Sequence, residues 1–475
     1  MEEVVSRQLS VVSTPNERQL TTDYSQTDAF SNRQSSIRNH QSSMMKRMPA
    51  ANHRPLFLHH AEQLLTLAGP PVPRRLGDLD DLGIIRDGAV LSAEGNIVAV
   101  GSTRELSGEA RRREARFIDC RGQVVMPGFV DSHTHLVFAG SRVDDYEQRL
   151  RGRTYEEIAA AGGGIGLSAR LLRQATPRAL SAHASGFLEQ MAAHGTTTIE
   201  VKTGYGLDVA NEIKTLEVIR GLGKVSPLDL VPTLLAAHAV PPEYRAGNNG
   251  GASAYVDLVC ERLIPEVARR QLAEFVDCFC ETIAFNLYDC RRVLATGQRY
   301  GLVPRIHAEQ LTHTGAARLA IELNAASADH LDHLTAPDIR AVGRSNVAAT
   351  LVPCANFHLG LMSYPPGRRL IDAGAVVTLA TDFNPGTSPT VNMQFVLTLA
   401  CDAMRFTPAE AISAATINAA YTLRRHHRCG SLEPGKQADL AVMAVDDYRK
   451  IPYYFGVNHC VLTVKRGRVI PRSDK

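Results

Sequence analysis

Eight short apolar runs alternate with amphipathic stretches between residues 127 and 420, and this alternation constrains the fold more than any other feature of the chain. Such alternation is typical of parallel strands joined by right-handed helical crossovers. Because eight strand–helix units close into a ring, the sequence predicts an α/β fold, a (β/α)8 TIM-type barrel whose functional residues lie at the carboxyl ends of the strands. In chain order, the predicted strands lie in PGFVDSHTH, TTTIEVKTG, VPTLLAAH, EFVDCFCE, VPRIHAEQ, SADHL, NVAATLVP and VVTLATD.

The segments on either side of the barrel are both rich in short β-like runs. Residues 53–126 include GAVLSAEGNIVAVGS, where Glu94, Gly95 and Asn96 form a hairpin-type turn between alternating strands. Residues 421–475 include GSLEPGKQADLAVMAVDD and CVLTVKRGRVI, which are runs of the same kind. We therefore expect the two chain ends to pair into one small β-sandwich, with the barrel of residues 127–420 inserted between them.

Composition argues against several classes of protein and partner. A formal net charge of +3, from 52 basic and 49 acidic residues without a long basic block, argues against nucleic acid as the main partner. Because no apolar run reaches the ~18 to 20 residues of a membrane span, no membrane partner is expected. The 9 cysteines form no CxxC pair, which predicts reduced thiols and a cytoplasmic protein. Residues 1–52 are polar and lack hydrophobic periodicity, which predicts a disordered N-terminal tail.

Side chains that bind metal ions fall at or near the carboxyl ends of several predicted strands. His133 and His135 are two residues apart, so both imidazoles point to the same side of the first strand. His307 in the fifth strand and Asp382 after the eighth complete three nitrogens and one oxygen, a donor set that suits Zn²⁺ or Fe²⁺ better than Mg²⁺. An isolated HxH pair among 17 histidines is usually accidental, and a single strand-end histidine is more often a hydrogen-bonded surface residue. The agreement of all these positions with the order of barrel strands favours a metal site.

Longer motifs carry a resemblance to a known family. MPGFVDSHTH, the later single histidines and TD after the last strand resemble the amidohydrolase superfamily, whose barrels carry a β-sandwich built from both chain ends. HTHLVFAGSRVDDYEQRLRGRTYEEIAAAGGGI, IEVKTGYGL, AAHAVPPEY, IHAEQLTHTGAA, SADHLDHL and LATDFNPGTSPT are similar to the imidazolonepropionase family, over about residues 55–470. The resemblance implies hydrolysis of the ring C–N bond of 4-imidazolone-5-propionate to N-formimidoyl-L-glutamate in histidine degradation. It also implies one Zn²⁺ or Fe ion per subunit and a homodimer.

The resemblance assigns roles to individual residues. It implies that the metal ligands are His133, His135, His307 and Asp382, and that the catalytic residues are His330 and Asp382. It implies substrate binding by Arg142, Tyr205, His238, Gln310, Asn384, Gly386 and Thr387, of which Asn384 and Gly386 match positions that hold the product.

The chemistry of these residue types agrees with hydrolysis of a cyclic amide. A bound Zn²⁺ or Fe²⁺ ion lowers the pKa of a water molecule towards ~7. Asp382 then takes the water proton and returns it to the leaving ring nitrogen, as a general base and then a general acid, and His330 orients the water and stabilises the oxyanion. Arg142 supplies a planar, two-pronged donor for the substrate carboxylate, and Tyr205 and His238 add neutral donors.

The residues alone also leave alternatives open. Arg142 is alternatively a surface salt-bridge residue, and Tyr205, between two glycines, an anchor of its loop. Glu281 ends the fourth strand, where binuclear amidohydrolases carry a bridging lysine; this favours one ion and leaves Glu281 as a structural partner or a substrate contact. AGGGIG at 161–166 lacks the GxxxxGK[ST] pattern of a phosphate loop and is interpreted as a flexible loop near the barrel mouth. The functional alternatives are another cyclic amidohydrolase or a base deaminase on the same barrel, and a non-catalytic amidohydrolase-like scaffold.

Overall fold

The computed structural model describes residues 54–154, 157–158, 161–245 and 250–471. The tail that the sequence predicts to be disordered, residues 1–52, lies outside these ranges. Within them, no helix combines the length and the apolar character that crossing a membrane would require.

From residue 54 onwards, seven short strands precede the barrel. They are β1 (Leu56–Ala61), β2 (Gln63–Leu65), β3 (Ile84–Ile85), β4 (Gly88–Ala93), β5 (Asn96–Ser102), β6 (Arg116–Asp119) and β7 (Val124–Pro127). The predicted hairpin joins β4 to β5 through Glu94 and Gly95, whose φ angles of 53° and 86° are typical of the two-residue turns that match strand twist. Asn96 begins β5, so the turn is one residue shorter than predicted. The helix Thr103–Arg112 follows, with a capping box between Ser102 and Glu105.

Eight parallel strands form the barrel, and each lies in one of the eight predicted segments. They are β8 (Phe129–Asp131), β9 (Thr196–Lys202), β10 (Asp229–Ala237), β11 (Phe275–Cys278), β12 (Val303–Ala308), β13 (Ser327–His330), β14 (Ala348–Leu351) and β15 (Val376–Leu379). Their order in the sheet is their order in the chain. The residues after β8 and β15 join the two ends of the sheet, because Asp382 N donates to His133 O (3.0 Å) and His135 N donates to Phe383 O (2.8 Å). The predicted barrel fold is confirmed.

Helices cover the outside of the barrel strands, so that both faces of the sheet are buried. All seven residues of β9 are buried, for example, and Ile199 and Val201 share an apolar cluster with Leu188 and Leu216 of two neighbouring helices. The helices in and after the barrel are Val143–Leu150, Gly164–Gln174, Pro177–Ala193, Val209–Val225, Gly251–Leu258, Ile264–Arg269, Leu287–Arg299, Ala316–Glu322, Ala336–Gly343, Pro353–Leu359, Gly367–Asp372, Met393–Met404, Pro408–Ala414, Ile417–Thr422 and Lys450–Tyr453.

The glycine run at 161–166 departs from its prediction as a flexible loop. Gly164–Gln174 is a helix, so the second half of the run forms its first residues. Gly162 and Gly164 have φ angles of 90° and 68°, which glycine adopts without strain, and Leu and Ala residues that favour helix follow them. The prediction was therefore wrong for residues 164–166.

Three strands from the end of the chain complete the β-sandwich. They are β16 (Leu440–Met443), β17 (Cys460–Lys465) and β18 (Arg468–Val469). β16 pairs with β7, which gives a six-stranded sheet of order β18-β17-β16-β7-β2-β3, and the second sheet has the order β5-β4-β1-β6. Leu58 and Val90 of the second sheet share an apolar core with Val125, Leu440 and Val464 of the first. Both chain ends thus build one sandwich, as predicted, while the exact domain bounds stay a prediction.

Candidate active site

Four imidazoles and one carboxylate converge at the carboxyl ends of the barrel strands. One potential ligand atom from each of His133, His135 and His307 lies within 4.8 Å of the others, and the same holds for His133, His330 and Asp382. Asp382 Oδ1 is 3.4 Å from Nε2 of both His133 and His135. All five side chains are buried. The structure therefore brings together every residue for which the sequence predicts metal binding or catalysis.

The local backbone explains how these side chains reach one point. Thr134, between His133 and His135, points away from them and donates its hydroxyl to Glu200 O (2.6 Å), so the two imidazoles share the opposite side. His330 and Asp382 have φ angles of 77° and 53°, in the left-handed region that non-glycine residues rarely adopt. Such backbone strain is common where side chains are held for function.

Several ring nitrogens of this cluster are buried without a hydrogen-bond partner among the described residues. They are Nε2 of His133, Nδ1 of His135 and Nε2 of His307. Buried polar atoms are nearly always satisfied in folded proteins, so an orphaned nitrogen such as His133 Nε2, 3.4 Å from Asp382 Oδ1, calls for a ligand. Three imidazoles and one carboxylate are the donor set of a tetrahedral Zn²⁺ or a similar divalent ion. The residues present therefore fit a metal ion.

Two buried aspartates lie behind the imidazoles and orient them. His133 Nδ1 is 2.7 Å from Asp329 Oδ2, and His307 Nδ1 is 3.0 Å from Asp277 Oδ2. Such carboxylate–histidine pairs fix the ring orientation and make the other nitrogen a better ligand. Burial and Lys202 lower the pKa of His133, but Asp329 outweighs them and raises it to about 9.

A buried charge network, which was not predicted from the sequence, lies beneath these aspartates. Lys202 Nζ is 2.8 Å from Asp277 Oδ2, 2.9 Å from Glu200 Oε1 and 3.4 Å from Asp329 Oδ2. Arg305 Nη2 lies 3.2 Å from Asp329 Oδ2. Although burial opposes it, the positive charges of Arg305 and Lys202 hold the pKa of Asp329 well below its ordinary value. The sequence does carry a signal for this charge network, because charged residues two apart in an apolar run point to the same face of a strand.

The protonation states suit proton transfer at the centre of the cluster. Burial would raise the pKa of Asp382, but the imidazoles of His133 and His135, each 3.4 Å away, hold it well below its ordinary value, so this group is a carboxylate at neutral pH. Burial lowers the pKa of His330 well below its ordinary value. Burial, together with His135 and His307, does the same for His238. Both of these imidazoles are neutral and can donate one N–H each.

The rings of Tyr205 and His238 pack beside the metal-binding candidates. The His238 ring stacks on His135 with centroids 5.0 Å apart, and Tyr205 lies 5.5 Å from His238 and 6.0 Å from His135 by the same measure. His238 Nδ1 is 3.1 Å from Gly204 O, which leaves Nε2 for a ligand. The structure thus places both predicted substrate-binding rings against the cluster.

Arg142 packs against the turn after β15, a few residues beyond Asp382. A Cβ atom on Gly386 would lie 2.2 Å from Arg142 Nη1, so the guanidinium packs directly against the backbone of this turn. Asn384 Oδ1 accepts from the backbone N–H of Gly386 (2.9 Å) and of Thr387 (2.7 Å), which fixes the turn. The Arg142 side chain is only 10% exposed, so it is not the surface residue that the sequence left as an alternative.

Glu281 and Gln310 belong to the neighbouring strand ends. Glu281 accepts from the backbone N–H groups of Thr282 (2.9 Å), Leu311 (2.9 Å) and Thr312 (3.1 Å). Its hydrogen bonds outweigh burial and lower its pKa, so it is an anionic brace for the loop after β12. Of its two predicted alternatives, the structure favours the structural partner. Gln310 is half-buried at the start of that loop, three residues after His307.

Comparison with known proteins agrees with this geometry. The amidohydrolase family model matches residues 116–164 and 160–471. An imidazolonepropionase of Geobacillus kaustophilus is 47% identical over 425 residues, which cover 89% of this chain and 99% of that relative. An imidazolonepropionase of Solibacter usitatus is 47% identical over 403 residues, which cover 84% of this chain and 94% of that relative. The chain belongs to the imidazolonepropionase family of amidohydrolases.

Solved structures of more distant amidohydrolases share the fold. The structure of E. coli guanine deaminase matches with a TM-score of 0.65 at 15% identity, covering 88% of this chain and 100% of the deaminase. An adenosine deaminase from Xanthomonas campestris with bound zinc matches with a TM-score of 0.61 at 18% identity, covering 87% of this chain and 92% of that chain. At these identities the likeness concerns the fold alone.

Proposed function

We propose that this protein hydrolyses the ring C–N bond of 4-imidazolone-5-propionate to N-formimidoyl-L-glutamate in histidine degradation. The observation that carries the proposal is the cluster of buried imidazoles around Asp382, together with the buried Arg142 that packs against the turn after Asp382. The relatives named imidazolonepropionase support the choice of substrate, since they align with nearly the whole described chain. We further propose a homodimer and a cytoplasmic location.

We assign one Zn²⁺ or Fe ion per subunit to His133, His135, His307 and Asp382. When bound, such an ion lowers the pKa of a water molecule towards neutrality and polarises the amide carbonyl. Glu281 supports a single ion, because its carboxylate is already hydrogen-bonded to the loop after β12.

Asp382 and His330 carry the proton transfers in this proposal. Asp382 is a carboxylate at neutral pH and takes the proton of the attacking water. Once protonated, it is a strong acid and gives the proton to the ring nitrogen as the C–N bond breaks. His330 is neutral, so its N–H donates to the oxygen on which negative charge develops.

The remaining residues bind the substrate and product. Arg142 offers two parallel N–H groups to the propionate carboxylate, the geometry in which arginine binds carboxylates most strongly. Tyr205 provides a neutral hydroxyl donor against the ring. His238, whose Nδ1–H donates to Gly204 O, presents Nε2 as an acceptor and stacks beside His135. The proposed set of binding residues also includes Gln310, Asn384, Gly386 and Thr387.

Turnover of the purified protein tests the proposal. Metal-loaded protein is incubated with 4-imidazolone-5-propionate, with guanine and with adenosine, and products are followed by mass spectrometry beside an enzyme-free control. We expect N-formimidoyl-L-glutamate from the first substrate only. Deamination of a base without ring opening of the imidazolone would replace this function by the deaminase alternative, and inactivity on all substrates would favour the scaffold.

A further inference from the structure

The carboxylate of Asp145 lies between Arg142 and the start of the helix Gly164–Gln174. Asp145 Oδ2 accepts from Arg142 Nε (2.8 Å) and from the backbone N–H of Gly164 (2.9 Å). Both side chains of the ion pair are about nine-tenths buried, with exposures of 10% for Arg142 and 9% for Asp145. The pair is charge-assisted and largely shielded from solvent, so the two side chains have less freedom to move than an ion pair on the surface has.

The hydrogen bond to Asp145 uses Nε of the guanidinium and neither of its terminal groups, Nη1 and Nη2. Asp145 accepts from Nε, and no acceptor among the described residues is hydrogen-bonded to Nη1 or Nη2 of Arg142. On the far side, the guanidinium packs against Gly386, where even a Cβ atom would lie 2.2 Å from Nη1. Arg142 is therefore held between a carboxylate and a backbone turn, with its two terminal N–H groups available for an anion.

The glycine run before the helix makes this arrangement possible. A Cβ atom on Gly163 would lie 2.4 Å from Asp145 Oδ1, so only a glycine allows the carboxylate to approach the helix start. The partial positive charge of the helix N-terminus adds to the attraction of Arg142 for the same carboxylate. The run AGGGIG, which carries no phosphate-loop pattern, thus has a structural use.

We propose that Asp145 is a positioning residue, which fixes Arg142 in the orientation that receives the carboxylate of the substrate. Without Asp145, the long side chain of Arg142 samples other rotamers, and binding then costs the conformational entropy of those rotamers. The inference rests on the proposed function in one respect, the assignment of the anionic end of the ligand to Arg142.

Binding of a pair of unreactive probes tests the inference without requiring turnover. Imidazole-4-propionate and its neutral amide are titrated into the metal-loaded wild type and into Asp145→Asn by calorimetry. A charge-assisted hydrogen bond of this kind corresponds to about 10- to 100-fold in affinity. We expect Asp145→Asn to weaken binding of the carboxylate probe by about that factor and to leave the amide probe within about threefold of the wild type.

Asp144→Asn is the matched control, because Asp144 lies in the same first helical turn, carries the same charge and is exposed. We expect it to bind both probes as the wild type does. Equal affinity of Asp145→Asn and wild type for the carboxylate, or an equal loss for both probes, would overturn the positioning role. Failure of turnover alongside preserved probe discrimination would overturn the proposed function but not this inference, and absence of carboxylate binding by the wild type would overturn both.

A second pair of variants changes no charge and serves if Asp145→Asn does not fold. Gly163→Ala, directly before the helix, places a Cβ atom 2.4 Å from Asp145 Oδ1 and 2.8 Å from Ile158 Cγ2, whereas an added Cβ on Gly166, inside that helix, meets nothing within 4 Å. We expect Gly163→Ala to lose carboxylate binding selectively and Gly166→Ala to match the wild type. Wild-type binding of the carboxylate probe by Gly163→Ala would contradict the account.

Discussion

At the scale of single residues, the buried charges behind the imidazoles decide how well the cluster can hold an ion. Asp329 contacts His133 directly and also compensates Arg305 and Lys202, so it serves the site and the barrel core together. Removing one partner of such a network leaves the others buried and unpaired, which costs more than the pair itself contributes.

We expect Asp329→Asn to weaken metal binding by about 10- to 100-fold, the usual effect of losing a carboxylate that orients a ligating histidine. Competition with a chromophoric chelator measures this affinity. Asp402→Asn, at an exposed position on the helix Met393–Met404, is the control. Unchanged metal affinity in Asp329→Asn would show that His133 does not depend on this partner.

Asp131 gives a pH dependence with a definite sign. Its carboxylate accepts from Thr381 N (3.0 Å) and Thr381 Oγ1 (2.6 Å), yet burial outweighs these bonds and raises its pKa to about 7. The folded state therefore holds a proton between pH 4 and 7 that the unfolded state releases, so the contribution of Asp131 to stability falls as pH rises through this window. Urea unfolding of metal-free protein at pH 5 and pH 8 should show Asp131→Asn gaining stability relative to the wild type at the higher pH. A stability difference that is the same at both pH values would contradict the raised pKa.

At the scale of elements, strand ends carry the site and loops complete it. Position along an apolar run was enough to predict His133, His135, His307, His330 and Asp382 as neighbours, because parallel strands of a barrel converge at their carboxyl ends. Contacts made by loops were harder to predict. The pairing of Asp145 with Gly164 depends on the path of the chain between two helices, which no local periodicity encodes. The role of Glu281 likewise depends on a loop thirty residues away.

Glu281→Gln tests the brace that joins the end of β11 to the loop after β12. An amide has one acceptor oxygen instead of two, so either the N–H of Thr282 or the N–H groups of Leu311 and Thr312 lose their acceptor. We expect the free energy of unfolding to fall by about 1–3 kcal/mol, the cost of unsatisfied buried donors. Urea denaturation measures it. A variant as stable as the wild type but with kcat/KM greatly reduced would instead make Glu281 a substrate contact.

At the scale of the whole molecule, the two chain ends depend on each other. Leu440 of β16 is buried opposite Pro127 of β7, in the core that the two sheets share. The β-rich composition of both ends predicted this sandwich. No local sequence pattern specifies the register of β7 against β16, because that register depends on packing between distant segments. The bounds 53–126, 127–420 and 421–475 stay a prediction.

We expect Leu440→Ala to lower the free energy of unfolding by about 2–5 kcal/mol, the range for a large buried aliphatic side chain cut to alanine. Val461→Ala, in the adjacent strand at 37% exposure, should change it little. Because the sandwich lies apart from the reacting groups, kcat per folded molecule should stay that of the wild type. A large loss of kcat in folded Leu440→Ala would show that the sandwich shapes the site.

The central claim is that the converged imidazoles and Asp382 hold the one ion on which hydrolysis of the imidazolone depends. The most direct test is a titration of chelator-treated protein with Zn²⁺ or Fe²⁺, with bound metal and formation of N-formimidoyl-L-glutamate measured on the same samples, beside His307→Ala. We predict that activity rises in proportion to bound metal up to one equivalent per subunit, and that His307→Ala neither retains the ion nor regains activity. Full activity of the metal-free protein, or of His307→Ala, would contradict the claim.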